Sequence, residues 1–118
     1  MKNYLEKLDK EDAGYKATGT SLSGYLHNTT YAQLVEAFGQ PTFGPEDSGD
    51  GKVQFEWVFE FNGDVFTLYD WKTYDVQYTI NELTTWNIGS KVYYGDFSNY
   101  IEEILNSKQV QNARISRT

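Results

Sequence analysis

The residues of this 118-residue chain that could do chemistry are few. Asp70 ends an apolar run and precedes Trp71 and Lys72. In the strand register derived below it falls on an apolar face, where an unpaired carboxylate is costly. It therefore either accepts backbone donors near a strand or helix start or belongs to a pocket. The run Gly19-Thr20-Ser21-Leu22-Ser23-Gly24 offers a ligand hydroxyls and bare backbone amides. Its other reading is a strand that needs close packing against a neighbour. It lacks the lysine and the spacing of a phosphate loop. A ligand pocket of Gly19, Thr20, Ser21, Asp70 and Asn87 is one expectation from these residues. His27 is the single histidine and there is no cysteine. Disulfides, thiol nucleophiles and multi-histidine metal sites are thereby excluded, and no serine sits in a nucleophile elbow. Glu46-Asp47 and Glu102-Glu103 read as solvated neighbours before catalytic dyads. The expectation is a protein that is not an enzyme, with no catalytic residue, metal or cofactor; a carboxylate-only enzyme is the remaining enzymatic reading.

The second candidate site is a surface. Val53, Phe55, Trp57, Phe59 and Phe61 alternate with Gln54, Glu56, Val58 and Glu60, and Asn62-Gly63 follows. That pair is the preferred two-residue turn of a β-hairpin, and a two-residue turn sets the register. Phe61 then pairs with Asp64, Phe59 with Phe66, Trp57 with Leu68 and Phe55 with Asp70. One face carries Phe55, Trp57, Phe59, Phe61, Phe66 and Leu68 and is the core. The other carries Gln54, Glu56, Val58, Glu60, Val65, Thr67, Tyr69 and Trp71 and is expected to face solvent. Glu56, Glu60, Tyr69 and Trp71 are the candidate partner-binding residues, since tyrosine and tryptophan anchor protein contacts. The same rings stack on bases, but the glutamates repel a nucleic acid.

The elements that must position these residues follow from periodicity. Residues 1–16 read as an N-terminal arm with one helical stripe of Tyr4, Leu5 and Leu8, ended by Gly14. Residues 17–107 are a single domain. Its first strand lies within 17–26, with Thr18, Thr20, Leu22 and Leu26 on one face. Thr30 and Gln33 form a capping-box pattern ahead of Tyr31, Leu34, Val35 and Phe38; Gly39 and Pro41 stop that helix. Residues 42–52 read as a flexible acidic loop and 72–84 as a connection that extends the sheet edge. Trp86 and Ile88 mark a short strand ended by Gly89. Asp96 caps a second helix carrying Phe97, Tyr100, Ile101, Ile104 and Leu105. Residues 108–118 are expected to be a flexible tail. The fold class is α+β, a two-layer sandwich of a mainly antiparallel four-stranded sheet with two helices on one face.

The formal charge of −7 is uneven. Residues 36–103 hold thirteen acids against Lys52, Lys72 and Lys91, while the last residues carry Lys108, Arg114 and Arg117. An acidic body repels phosphate backbones, so direct nucleic-acid binding is not expected. Its two readings are solubility for an aromatic-rich chain and a surface for a basic partner. No apolar run is long enough to span a membrane, and no signal peptide is read in the first residues. A cytoplasmic setting is expected.

From Thr18 to Gly89 the chain resembles an uncharacterised family of small proteins encoded by bacteriophages and other viruses. The residues that carry the resemblance are Gly19-Thr20-Ser21-Leu22-Ser23-Gly24-Tyr25, Thr29-Thr30-Tyr31-Ala32-Gln33-Leu34-Val35 with Phe38-Gly39-Gln40-Pro41, Glu56-Trp57-Val58-Phe59-Glu60-Phe61, Tyr69-Asp70-Trp71-Lys72 and Trp86-Asn87-Ile88-Gly89. Members often have histidine where this chain has Asn87. The resemblance implies a phage origin, hence a host-cell cytoplasm, and assigns no catalytic residue. Two functions are expected on this footing. One is an anti-defence or host-takeover protein that binds and inhibits a host protein, such as a basic nucleic-acid enzyme, through an acidic aromatic surface. The other is a binder that sequesters a nucleotide-type signal in a pocket, with a homo-oligomer interface as one place for it.

Overall fold

The computed structural model describes residues 3–116, with side chains described as far as Ser107. Met1, Lys2, Arg117 and Thr118 lie outside the described residues, and so do the side chains of the cationic tail. Five antiparallel strands form one sheet: β1 Leu5–Lys7, β2 Ser21–Leu26, β3 Glu56–Phe61, β4 Asp64–Tyr69 and β5 Trp86–Ser90, in the order β1-β3-β4-β5-β2. Four helices accompany it: α1 Lys10–Lys16, α2 Tyr31–Phe38, α3 Val76–Asn81 and α4 Gly95–Ser116. The class is α+β, with one strand and two helices more than the sequence pattern indicates.

The hairpin has the register set by its turn. Glu56 pairs with Tyr69, Trp57 with Leu68, Phe59 with Phe66 and Phe61 with Asp64. Asn62 and Gly63 both have positive φ, as the type I′ turn requires. Trp57 and Leu68 are fully buried. Their face packs against Leu34 of α2 and Phe97, Ile101 and Leu105 of α4, with Val76 and Ile80 of α3 at its margin. Phe66 stacks on Phe97 at 4.4 Å between centroids, and Trp57 meets Trp86 edge-on at 5.5 Å. Offset and edge-to-face contacts of this kind add to the burial of each ring. The capping box of α2 is complete, with Thr30 and Gln33 each accepting the other's backbone N–H.

Where periodicity was too short to read, the structure differs. Leu5, expected on a helical stripe, lies in edge strand β1, paired with Phe61. Gly14 lies inside α1 rather than ending it. Together α1 and Leu8 cover the opposite face of the sheet, where Leu8, Ala13 and Val58 form a second buried cluster with Val65, Ala17 and Phe43 around it. The two-helix, two-layer arrangement is thus corrected to helices on both faces. The loop 42–52 is tied down: Phe43 pairs with Glu56 through two backbone hydrogen bonds of 2.9 and 3.0 Å, and Pro45–Asp47 form a 3-10 turn. Buried Thr42 joins Leu8 to Val58, donating to one carbonyl and accepting from the other residue's N–H.

Residues 72–84, expected to extend the sheet edge, hold α3, which is capped by the Asp75 carboxylate. Strand β5 runs through Gly89 to Ser90. Asp96 sits inside the first turn of α4 rather than before it, where its charge still opposes the helix dipole. The helix backbone continues past Ser107, where a loose tail was expected to begin. In β2 the pairing slips between Leu22 and Gly24, a bulge at Ser23. One extra residue reverses side-chain parity. Leu22 therefore points outward, half exposed, while Leu26 is in the core. No helix among the described residues is long and apolar enough to cross a membrane.

Candidate functional site

The cover supplied by α1 ends near Val58 and Val65. The outer face of β4, β5 and β2 beyond it is open, and the parity of three strands brings Tyr69, Asn87, Tyr25 and Leu22 together there. Tyr69 pairs with Asn87, and Asn87 pairs with Tyr25. With Trp71 these residues line a cleft of about 540 Å³. Trp71 also lines a second cleft of about 460 Å³ with Lys72, Thr73, Asp75, Tyr78 and Leu83. Leu22, Tyr25, Trp71, Tyr74 and Tyr78 are all exposed. Large apolar side chains are thus left in contact with solvent on and beside this face.

Gly89 makes the arrangement possible. A Cβ at that position would lie 2.5 Å from Thr67 Oγ1 and 3.4 Å from the Tyr69 ring. Its absence lets the Thr67 hydroxyl lie across β5, with the Tyr69 ring in ordinary contact beside it. Tyr69 meets Trp71 edge-on at 6.4 Å. Two cations flank the indole: Lys72 Nζ is 5.5 Å and Lys52 Nζ 5.9 Å from the ring centroid, within cation–π range. Lys72 and Tyr74 both have φ in the left-handed region, which non-glycine residues seldom occupy.

Asp70 holds this loop in place from beneath. It is buried, and Oδ1 accepts the backbone N–H of Gln54 at 2.7 Å and of Phe55 at 3.0 Å. Oδ2 accepts the hydroxyls of Thr79 at 2.8 Å and Thr73 at 3.2 Å. Lys72 N–H donates to the Lys52 carbonyl at 2.7 Å. One carboxylate thus fastens the start of β3, the 70–75 loop and α3, and so fixes where Trp71, Lys52 and Lys72 stand.

The pocket expected from Gly19, Thr20, Ser21, Asp70 and Asn87 is not assembled. Ser21 and Phe66 both pair with Ser90, and Asp70 lies four residues beyond Phe66, about 13 Å at the rise of a strand. Gly19 lies beside the Lys91 side chain, and the Thr20 hydroxyl is spent on the Ala17 carbonyl. Of the five, Asn87 alone lines the open cleft.

The acidic surface is also rearranged. Glu60 is partly buried beside Lys16 of α1, which stands 3.5 Å away, so it is set apart from Tyr69 and Trp71 by that helix. Glu56 is partly buried too. Burial, and secondarily the charge of Asp70, push its carboxyl up to about 7. Burial likewise raises the Tyr69 hydroxyl; the Asn87 side chain opposes that shift and Glu56 adds to it. Neither glutamate is the solvated residue expected of the outer hairpin face, because residues 8–17 and the 42–48 segment cover that part of the sheet. Leu22, Tyr25 and Lys52 are the surface residues that sequence reasoning missed. The bulge hid Leu22.

Among the described residues no group of three or more histidine, aspartate or glutamate side chains is arranged to hold a metal ion. Comparison with protein-family models, with curated proteins and with solved structures finds no match.

Proposed function

We propose that this is a non-enzymatic phage accessory protein that binds and inhibits a host protein, with a docking surface centred on Tyr69 and Trp71. The observation that carries the reading is the open half of the sheet, where three strands and the loop after β4 gather exposed Leu22, Tyr25 and Trp71 around half-buried Tyr69. Aromatic residues in such a patch supply large contact area with little side-chain entropy to lose, the character of interface hot spots. The acidic balance of residues 36–103 favours a basic partner, such as a nucleic-acid enzyme of the host, by steering encounter. Glu56 belongs to this surface and Glu60 does not.

A small-ligand reading has its own support. The 540 Å³ cleft carries Asn87 among aromatic walls, and Lys52 and Lys72 flank Trp71. That combination suits a planar anionic ligand of the nucleotide type. Parallel capture from host lysate on the wild-type chain and on Trp71→Ala separates the two. A protein retained by the wild type and lost on the variant supports docking. A small molecule released by denaturing the wild type alone supports the ligand reading. Equal recovery of every species on both chains overturns both.

A further inference from the structure

Beside the aromatic patch lies a smaller concavity of about 270 Å³, lined by Phe43, Gly44, Asp47, Ser48, Val53 and Glu56. Its position is set by the fold. Phe43 and Glu56 exchange backbone hydrogen bonds, which brings the 3-10 turn against the start of β3. Glu56 is the direct cross-strand partner of Tyr69, so the concavity adjoins the aromatic cleft at that pair. We infer that this concavity receives a lysine or arginine side chain of the docked protein, with the Glu56 carboxylate as its counter-ion. The inference rests on the docking reading and names the chemistry its partner must present.

Three observations support it. First, among the described residues no ion pair reaches Glu56. Among the described residues Lys10 is engaged by Glu46 and Asp47, Lys16 by Glu60, and Lys52 by Asp50. A carboxylate only partly reached by water ionises less readily, and a guest cation beside it favours the charged form. Second, the second carboxylate of the lining is already spent: Asp47 accepts the Gly44 N–H at 2.9 Å and stands 3.0 Å from Lys10 Nζ. One available carboxylate suits a single side-chain cation rather than a metal ion, which takes several oxygen ligands. Third, Phe43 and Val53 give the concavity apolar walls. Lysine and arginine bury their methylene stems against such walls while their charged heads find a partner.

The charged and titratable groups facing Glu56 are Asp70 and Tyr69 from β4 and its end, and Asp47 from the turn. None is a cation, so nothing on those elements competes with the guest. Because Glu56 titrates near pH 7, a guest cation meets a mostly neutral carboxyl at pH 6 and a mostly ionised one at pH 8. Apparent affinity scales with the competent fraction, so it should rise about tenfold between those values.

The test uses the full chain and two small probes, Nα-acetyl-arginine amide and its neutral isostere Nα-acetyl-citrulline amide, followed by amide chemical shifts. The expected result is saturable shifts at Gly44, Ser48, Val53 and Glu56 with the arginine probe, tighter at pH 8 than at pH 6, and absent in Glu56→Gln. Equal response to citrulline, no response to arginine, or a response in Glu56→Gln that matches the wild type overturns the inference. Dispersed shifts elsewhere in the Glu56→Gln spectrum establish that the variant is folded. Loss of lysate capture on Trp71→Ala with no arginine response would leave the docking surface standing and remove only this pocket's role.

Discussion

Glu56 stands directly across the β3–β4 ladder from Tyr69, and both belong to the outer face of the sheet. The pair divides two concavities, with Glu56 lining the smaller one and Tyr69 the larger. Each is partly buried, and each titrates above its ordinary value chiefly because of that burial. A surface that looks uniformly acidic and aromatic in the sequence is thus divided into a carboxylate pocket and a tryptophan cleft flanked by lysines.

The Glu56 carboxyl, at about 7 in the folded chain against an ordinary 4.5, makes stability depend on pH. Between those values the folded state binds more protons than the unfolded state, so stability falls as pH rises through that window and levels off above it. The loss should be on the order of 3 kcal/mol. Glu56→Gln should remove this component. Thermal melts of the variant and the wild type should coincide only below the ordinary carboxyl value, near pH 4, with the variant higher at pH 8; a variant less stable at pH 8 would contradict the assignment.

Replacing Asp70 should be the most damaging single change at the site. Asp70→Ala strips acceptors from two buried backbone N–H groups and two threonine hydroxyls. A buried donor left unsatisfied costs about 1–3 kcal/mol, and a loss of about 3 kcal/mol is expected in urea unfolding. Asp70→Asn keeps one acceptor oxygen and should lose about half as much.

Gly89→Ala tests the approach of Thr67 across β5. The new Cβ would lie 2.5 Å from Thr67 Oγ1, and the overpacking should cost about 1–3 kcal/mol. The Thr67 side chain must move to admit it, whereas the Tyr69 ring at 3.4 Å stays in ordinary contact. Unchanged stability in urea unfolding would show that the strand yields more easily than this packing implies.

Trp71→Ala and Glu60→Gln should separate binding from folding in opposite ways. Trp71 is 48% exposed, so its loss should leave stability within about 1 kcal/mol while raising the dissociation rate of a captured partner. Glu60 is held at α1 by Lys16, a surface pair worth about 0–1 kcal/mol, and Glu60→Gln should leave partner kinetics unchanged. Surface plasmon resonance on both variants reads the contrast directly.

Much of this fold follows from local signals. Alternation from Val53 to Phe61 with Asn62-Gly63 behind it leaves one register and one core face, because the side-chain period of a strand is two and the turn length is fixed. The α2 helix is equally explicit, since its cap, apolar stripe and terminating Gly39 all lie within ten residues of one another. The burial of Asp70 follows from the same parity, and its need for donors from the cost of an unpaired charge.

What the sequence could not disclose is the second face. Strand β1 is three residues long and α3 six, too few for periodicity to show, and each forms because a sheet edge or a core margin is there to receive it. The bulge at Ser23 is a pairing irregularity with no compositional mark. Cover by α1 and the 42–48 segment decides that Glu60 is tied to Lys16, that Glu56 is partly withdrawn from solvent, and that Trp71 remains open. Alternation determines which side chains share a face of the sheet; only the contacts made by segments distant along the chain determine which of those side chains water reaches.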